Sequence, residues 1–151
     1  MIKAQLVDAG TGKQVQISDT PYGNVLTTIS TDKLYSVFKS SARTTSGTTI
    51  VVQPESGEAI AVTDLLISAE KMAGSLTVQF NDGTNAVALF GVALTDAPAS
   101  FGVPFNGRWM GWRDARIEMI TSTNGTALVC VGYTKIPSEH TLSYAEWNAL
   151  R

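Results

Sequence analysis

The feature of this sequence that most constrains its fold is the alternation of apolar and polar residues with a period of two. Such alternation places successive side chains on opposite faces of a β-strand. Turn-forming residues interrupt it roughly every 8–12 residues, a spacing typical of sandwiches and barrels. The predicted strands cover residues 34–38, 48–53, 59–68, 75–80, 84–90, 107–112, 115–121 and 126–133. The sequence therefore predicts an all-β antiparallel domain, and periodicity alone leaves jelly-roll and immunoglobulin-like strand orders open.

Two dipeptides indicate tight turns between these strands. Asp82-Gly83 predicts a β-hairpin with a type I′ turn, which needs positive φ at both central residues. Asn124-Gly125 predicts a second hairpin, directly before the last strand. Residues 97–105 contain two prolines, so we expect them at a sheet edge or in an extended crossing.

The remaining segments before residue 70 predict strands and loops of different kinds. The long apolar stretch 59–68 predicts a central strand that is buried on both faces, whereas the Ser/Thr-rich residues 39–47 predict a loop. At the N-terminus, residues 2–7 and 13–17 predict a small hairpin. Residues 18–30 have few apolar anchors, and we expect a loop or an extended arm there.

The last residues predict a helix. Ser143 and Glu146 have the spacing of a capping box, which predicts a helix over 144–150. So short a helix does not persist alone in water, and we expect it to dock through Trp147 and Leu150. We therefore expect one structural domain with three parts, which are an N-terminal hairpin and arm (1–30), a β-sandwich core (31–142) and a C-terminal helix (143–151).

The charge and hydropathy of the chain exclude two classes of partner. Charged residues make up 16% of the sequence and the net charge is −2, without the clustered Lys and Arg that nucleic-acid binding requires. No apolar run approaches the ~18 residues of a membrane-spanning helix, and the first residues do not resemble a signal peptide. We expect no nucleic-acid or membrane contact, and a chain that is made in the cytoplasm.

The residues that carry catalytic or metal chemistry are few. Cys130 lies in an apolar run and is expected to be a small core hydrophobe. His140, the one histidine, is expected at the surface. A structural zinc site needs about four such ligands, and no serine lies in a nucleophile elbow. We expect no enzymatic activity, no metal and no cofactor.

Two tryptophans near the centre of the chain have two interpretations. Trp109 and Trp112 would point to opposite faces of a regular strand. Either both pack inside the sandwich or against the C-terminal helix, or one fills the core while the other reaches the surface or an interface. An exposed tryptophan can anchor a protein interface or stack on a sugar ring.

Four segments resemble the small virion proteins of tailed bacteriophages. They are DAGTGKQV at 8–15, EAIAVTDLLIS at 58–68, GRWMGWRDARI at 107–117 and VGY at 131–133. The resemblance extends over most of the chain, from residue 1 to about 133. It implies a jelly-roll or related sandwich that oligomerises, often as a trimer, as a decoration (cement) protein or as a fibre or tail component. The resemblance brings no catalytic residues with it.

The first functional hypothesis is therefore a non-enzymatic virion protein that binds copies of itself, as a trimer, and major capsid or tail proteins. The alternative is a receptor- or carbohydrate-binding module, and a hydrolase with an unrecognised acid pair is a weaker third hypothesis. The residues expected to make assembly or ligand contacts are Ile2, Val7, Lys13, Tyr22, Trp109, Trp112, Trp147 and Arg151.

Overall fold

The computed structural model divides the chain into two compact units, residues 1–36 and 37–151. It describes the backbone of residues 6–7, 14–20, 23–28 and 37–151, and the side chains of 37–103 and 109–151. The predicted contact residues Ile2, Lys13 and Tyr22 lie outside the described residues.

The described part of the N-terminal unit is a three-stranded antiparallel sheet. Its strands are β1 (Leu6–Val7), β2 (Gln14–Thr20) and β3 (Gly23–Thr28), in the order β1-β2-β3. Pairing of Val7 with Gln14 confirms the predicted hairpin. The loop or arm predicted for 18–30 is wrong, because β2 and β3 pair from Val15–Thr28 to Thr20–Gly23. Backbone pairing between the two strands defines them, and their few apolar residues do not reveal it from the sequence.

The second unit contains eight strands in two antiparallel four-stranded sheets. The strands are β4 (Val37–Arg43), β5 (Gly47–Val52), β6 (Ala59–Glu70), β7 (Gly74–Asn81), β8 (Ala86–Leu94), β9 (Ala99–Met110), β10 (Arg116–Thr121) and β11 (Thr126–Ile136). The first sheet has the order β4-β11-β6-β9, and the second has the order β5-β10-β7-β8. Buried side chains from both sheets form one core, so the predicted β-sandwich is confirmed.

The order of the strands is that of a jelly roll. Consecutive strands lie in different sheets at every connection of this unit except β7–β8, which is a hairpin within the second sheet. Repeated crossing of this kind is the double Greek key of jelly rolls. It resolves the choice that periodicity left open between jelly-roll and immunoglobulin-like orders.

Two of the predicted turns differ from the structure in an informative way. The hairpin at Asp82-Gly83 is confirmed, but its loop spans four residues between Asn81 and Ala86, and only Gly83 has positive φ (96°). The loop is therefore not a type I′ turn. The hairpin predicted at Asn124-Gly125 is wrong, because β10 and β11 belong to different sheets. The same turn residues serve a crossing connection there.

Burial in the first sheet also departs from the pattern expected. The loop predicted for 39–47 is wrong over β4, an edge strand whose side chains are mostly exposed. The prediction of a strand buried on both faces holds only for the first residues of β6, since exposed and buried residues alternate from Leu65 to Glu70. The proline-containing segment is confirmed as an edge strand, because Pro104 lies in β9 at the end of this sheet.

The C-terminal helix α1 (Tyr144–Ala149) begins with the predicted capping box. The Ser143 side chain accepts from the backbone of Glu146, whose carboxylate accepts from the Ser143 backbone N–H. Docking through Trp147 is confirmed, because its Nε1 donates to the Met110 carbonyl at 2.7 Å. Docking through Leu150 is wrong, since that side chain is 78% exposed.

Candidate functional site

Trp112 is the centre of an aromatic cluster that joins the sandwich to α1. It is 1% exposed, and its ring centroid lies 4.8 Å from that of Trp147 and 4.9 Å from that of Tyr144. Phe80 on β7 packs edge-on against it at 6.0 Å. Burial on all sides leaves Trp112 no surface for a partner, so its role is to pack the core.

Asp82 holds the indole of Trp112 from the β7–β8 hairpin. Its Oδ2 accepts from Trp112 Nε1 at 2.6 Å, while its Oδ1 accepts from the backbone N–H groups of Thr84 and Asn85. Burial alone would raise the pKa of Asp82, but the hydrogen bonds donated by Asn85, Thr84 and Trp112 together lower it to about 2. The carboxylate is therefore a structural anion that ties the hairpin to the core.

The lowered pKa of Asp82 predicts an acid-dependent loss of stability. The folded-state value of about 2 lies below the ordinary 3.8, so the ionised carboxylate stabilises the fold above pH 3.8 and loses that effect as the pH falls through 2. The free energy of unfolding of wild type should exceed that of Asp82→Asn by the largest amount near neutral pH and by the smallest amount near pH 2. Urea midpoints of both proteins at several pH values measure this difference, and a difference that does not change with pH would contradict the assignment.

Trp109, three residues before Trp112, lies at the surface. It is 51% exposed, so the interpretation in which both tryptophans pack inside the sandwich is wrong. The register of β9 pairs Trp109 with Val62, whereas Trp112 lies beyond the end of that strand. The chain leaves the sheet between them, and only Trp112 turns into the core.

A groove borders Trp109 at the edge of the sandwich. It has a volume of about 490 Å³, which lies within the range of small-molecule sites. The guanidinium carbon of Arg151 lies 5.1 Å from the ring centre of Trp147 and supplies a cation there. We term this groove the helix groove. Its main lining residues are Val87, Leu89, Trp109, Trp147, Leu150 and Arg151. Its chemistry is aromatic and apolar, with one positive charge.

A second surface covers the outer face of the first sheet. Leu66 on β6 is 55% exposed, and Leu128 on the neighbouring β11 is also exposed. Small uncharged residues occupy the paired positions around these leucines on all four strands. We term this surface the leucine face; its residues are Ser40, Ala42, Leu66, Ser68, Ser100, Gly102, Leu128 and Cys130.

The leucine face has both a raised and a hollow part. Leu66 leans over β9, where its Cδ2 would lie 3.3 Å from a Cβ at Gly102. A shallow hollow of about 320 Å³ lies between Leu66, Leu128 and Phe101. Cys130 borders this hollow and is partly exposed, so its predicted place in the core is wrong. Its neighbours Val129 and Val131 are the ones that face inward.

The outer face of the second sheet has a different character, because it holds a buried carboxylate. Glu118 is 2% exposed and accepts from Asn81 Nδ2 at 2.7 Å, Gln79 Nε2 at 3.2 Å and Arg116 Nε at 2.5 Å. Burial would raise the pKa of Glu118, but these three hydrogen bonds and the charge of Arg116 lower it. Each carboxylate oxygen is occupied, so the cluster stabilises the sheet and offers no free acid or base.

The described residues lack two further kinds of feature. They contain no group of three or more His, Cys, Asp or Glu side chains placed to hold a metal ion. Among them, no helix has the length and apolar character needed to cross a membrane. His140 is exposed in a short 3-10 helix (Ser138–His140), as predicted.

No family model matches the chain, and no curated protein matches it.

Proposed function

We propose that this chain is a non-enzymatic structural protein of a bacteriophage particle, which acts through contacts with copies of itself and with capsid or tail proteins. The observation that carries the proposal is the leucine face, an uncharged surface on which two exposed leucines lie among small residues of the first sheet. Contiguous exposed apolar surface on a soluble domain marks an interaction site. The jelly-roll order adds support, because jelly rolls recur in viral capsid and lectin domains. The resemblance to phage virion proteins is a further support.

The physical mechanism is mass action. A protein that binds the assembled particle, and not its separated subunits, stabilises the assembly by its binding free energy. A face of Ser, Ala, Gly and Leu residues has little charge to desolvate on contact, which suits close packing against another protein. The particle would be built in the host cytoplasm, and the virion would be the site of action.

Light scattering after size-exclusion chromatography tests the proposal. We expect a mass above that of the 16.1 kDa chain, and the resemblance favours a trimer. The same protein should sediment with purified particles of the phage that encodes it. A monomer at all concentrations that also fails to sediment with particles would contradict the proposal.

The second candidate is a receptor- or carbohydrate-binding module, which the exposure of Trp109 in the helix groove favours. An accessible indole can stack on a sugar ring. In this case, adding glycans should change the intrinsic fluorescence in a saturable way, and Trp109→Ala should abolish the change. The buried Trp112 provides the constant background. An unchanged spectrum across a glycan panel would argue against this candidate.

A further inference from the structure

We infer that the leucine face packs against the same face of a second copy of this chain, as a weak two-fold dimer. The inference rests on the proposed function as a self-associating particle protein, and it names the surface and the partner. The helix groove is a separate surface, lined by β8, the end of β9 and α1. The leucine face has three features that favour a self-complementary contact.

The first of these features is shape. A two-fold contact brings the same patch of both copies together, so the patch must contain its own complement. The leucine face carries a projecting side chain, Leu66, directly beside a hollow of about 320 Å³. Rotation about a two-fold axis in the contact plane would place Leu66 of each copy against the hollow of the other. Small residues such as Ser100 and Gly102 keep that hollow open.

The second feature is charge. The paired positions that form the leucine face contain no ionisable side chain except the thiol of Cys130. In the adjoining rows of the same face, the described charged residues are Asp64 at one end and Glu70 at the other. Two copies of an acidic chain can therefore approach here with little desolvation of charge. Because the bordering charges have the same sign, added salt should leave this association unchanged or strengthen it.

The third feature is area, and it sets the strength of the contact. Four strands at ~4.8 Å spacing and two rows of ~6.7 Å give a footprint of roughly 260 Å² per copy. Two copies bury about 500 Å², well below the ~1,200–2,000 Å² of stable interfaces. The contact alone therefore gives a dimer that forms only at high concentration. On a particle, where other contacts hold the copies close together, the effective concentration is much higher.

The test uses the full chain and two matched leucine variants. Leu66→Glu puts a carboxylate in the leucine face, whereas Leu150→Glu makes the same change at an exposed leucine of the helix groove. Sedimentation equilibrium from about 1 µM to about 1 mM spans the expected weak affinity. At high concentration we expect the masses of wild type and Leu150→Glu to approach twice the mass of the species present at low concentration. Leu66→Glu should dimerise at least ~10-fold more weakly, since it buries an unpaired charge.

Cys130 provides a second readout in the unaltered protein. Its thiol borders the hollow, so pairing of the leucine faces should slow its reaction with N-ethylmaleimide as protein concentration rises. Leu66→Thr, which places an uncharged β-branched residue on the strand, should reduce both the dimer and this protection if Leu66→Glu fails to fold. An association that survives both Leu66 variants, with constant thiol reactivity, would overturn the inference but leave the proposed function standing. Absence of any self-association would overturn the inference, and the proposed function would then depend on particle binding alone.

Discussion

Trp112→Ala is expected to lower the free energy of unfolding by about 3–5 kcal/mol, the range for truncating a buried aromatic residue. The indole is 1% exposed and fills the space between Phe80 on β7 and Trp147 on α1. Its loss removes these contacts and leaves the Asp82 carboxylate without the donor it accepts from at 2.6 Å. Urea denaturation followed by far-ultraviolet circular dichroism measures the change without depending on tryptophan fluorescence.

Trp109→Ala is the matched control for this experiment. The same truncation three residues earlier removes a ring that is 51% exposed, so we expect a loss of about 1 kcal/mol or less. Equal losses in the two variants would contradict the division of the tryptophans between core and surface. A large loss for Trp112→Ala with melting of α1 would further show that the helix depends on this ring, as its short length implies.

Sequence patterns predicted the strands whose alternate residues face the core. In β7 the buried side chains are Leu76, Val78 and Phe80, with less buried residues between them. When one face of a strand is buried, every second residue is apolar, and this pattern can be recognised within a few residues of sequence. The capping box of α1 is equally local, since Ser143 and Glu146 are three residues apart. Local rules of this kind identified most of the sandwich strands and the helix.

The errors arose where the fold depends on distant pairing. β4 is a polar edge strand that is held by its hydrogen bonds to β11, nearly ninety residues away (Ala42 pairs with Leu128). Its side chains carry no period that separates it from a loop. Asn124-Gly125 has the composition of a hairpin turn, but its residues only reverse the chain locally. Whether the next strand joins the same sheet or the opposite one is decided by the whole sandwich.

The leucine face was missed for a related reason, although a signal for it exists. In a two-layer sandwich each strand has one inner face, so consecutive apolar residues are all buried only where the outer face is also covered, as at the start of β6. Leu65-Leu66-Ile67 is such a run, and Leu66 is the residue that faces outward. The run around Cys130 behaves in the same way, with Leu128 and Cys130 facing outward. Uninterrupted apolar runs in strands of small sandwiches therefore indicate candidate interfaces as well as buried centres.

Gly125→Ala is expected to lower the free energy of unfolding by about 2–4 kcal/mol, because strain and overpacking act together at this position. Gly125 lies in the β10–β11 connection with φ of 148°. An added Cβ would meet the Lys71 carbonyl oxygen and would lie 2.6 Å from Met72 Cβ and 2.8 Å from Met72 Cα. Two of these three atoms belong to the backbone and cannot move aside as the end of a flexible side chain would. Met72 is also a core residue, so displacing it disturbs the packing between the sheets.

Gly83→Ala separates the two contributions, because it imposes the unfavourable φ without the collision. Gly83 has φ of 96° in the β7–β8 loop, and a Cβ there would meet no atom within 4 Å. We expect a loss of about 1 kcal/mol, from backbone strain alone. Urea denaturation of the two variants under the same conditions gives the difference, which measures how tightly the β10–β11 connection packs on the turn after β6. If Gly125→Ala were no more destabilising than Gly83→Ala, that connection would be free to shift, and the crossing of β11 into the first sheet would not depend on the close approach of these two turns.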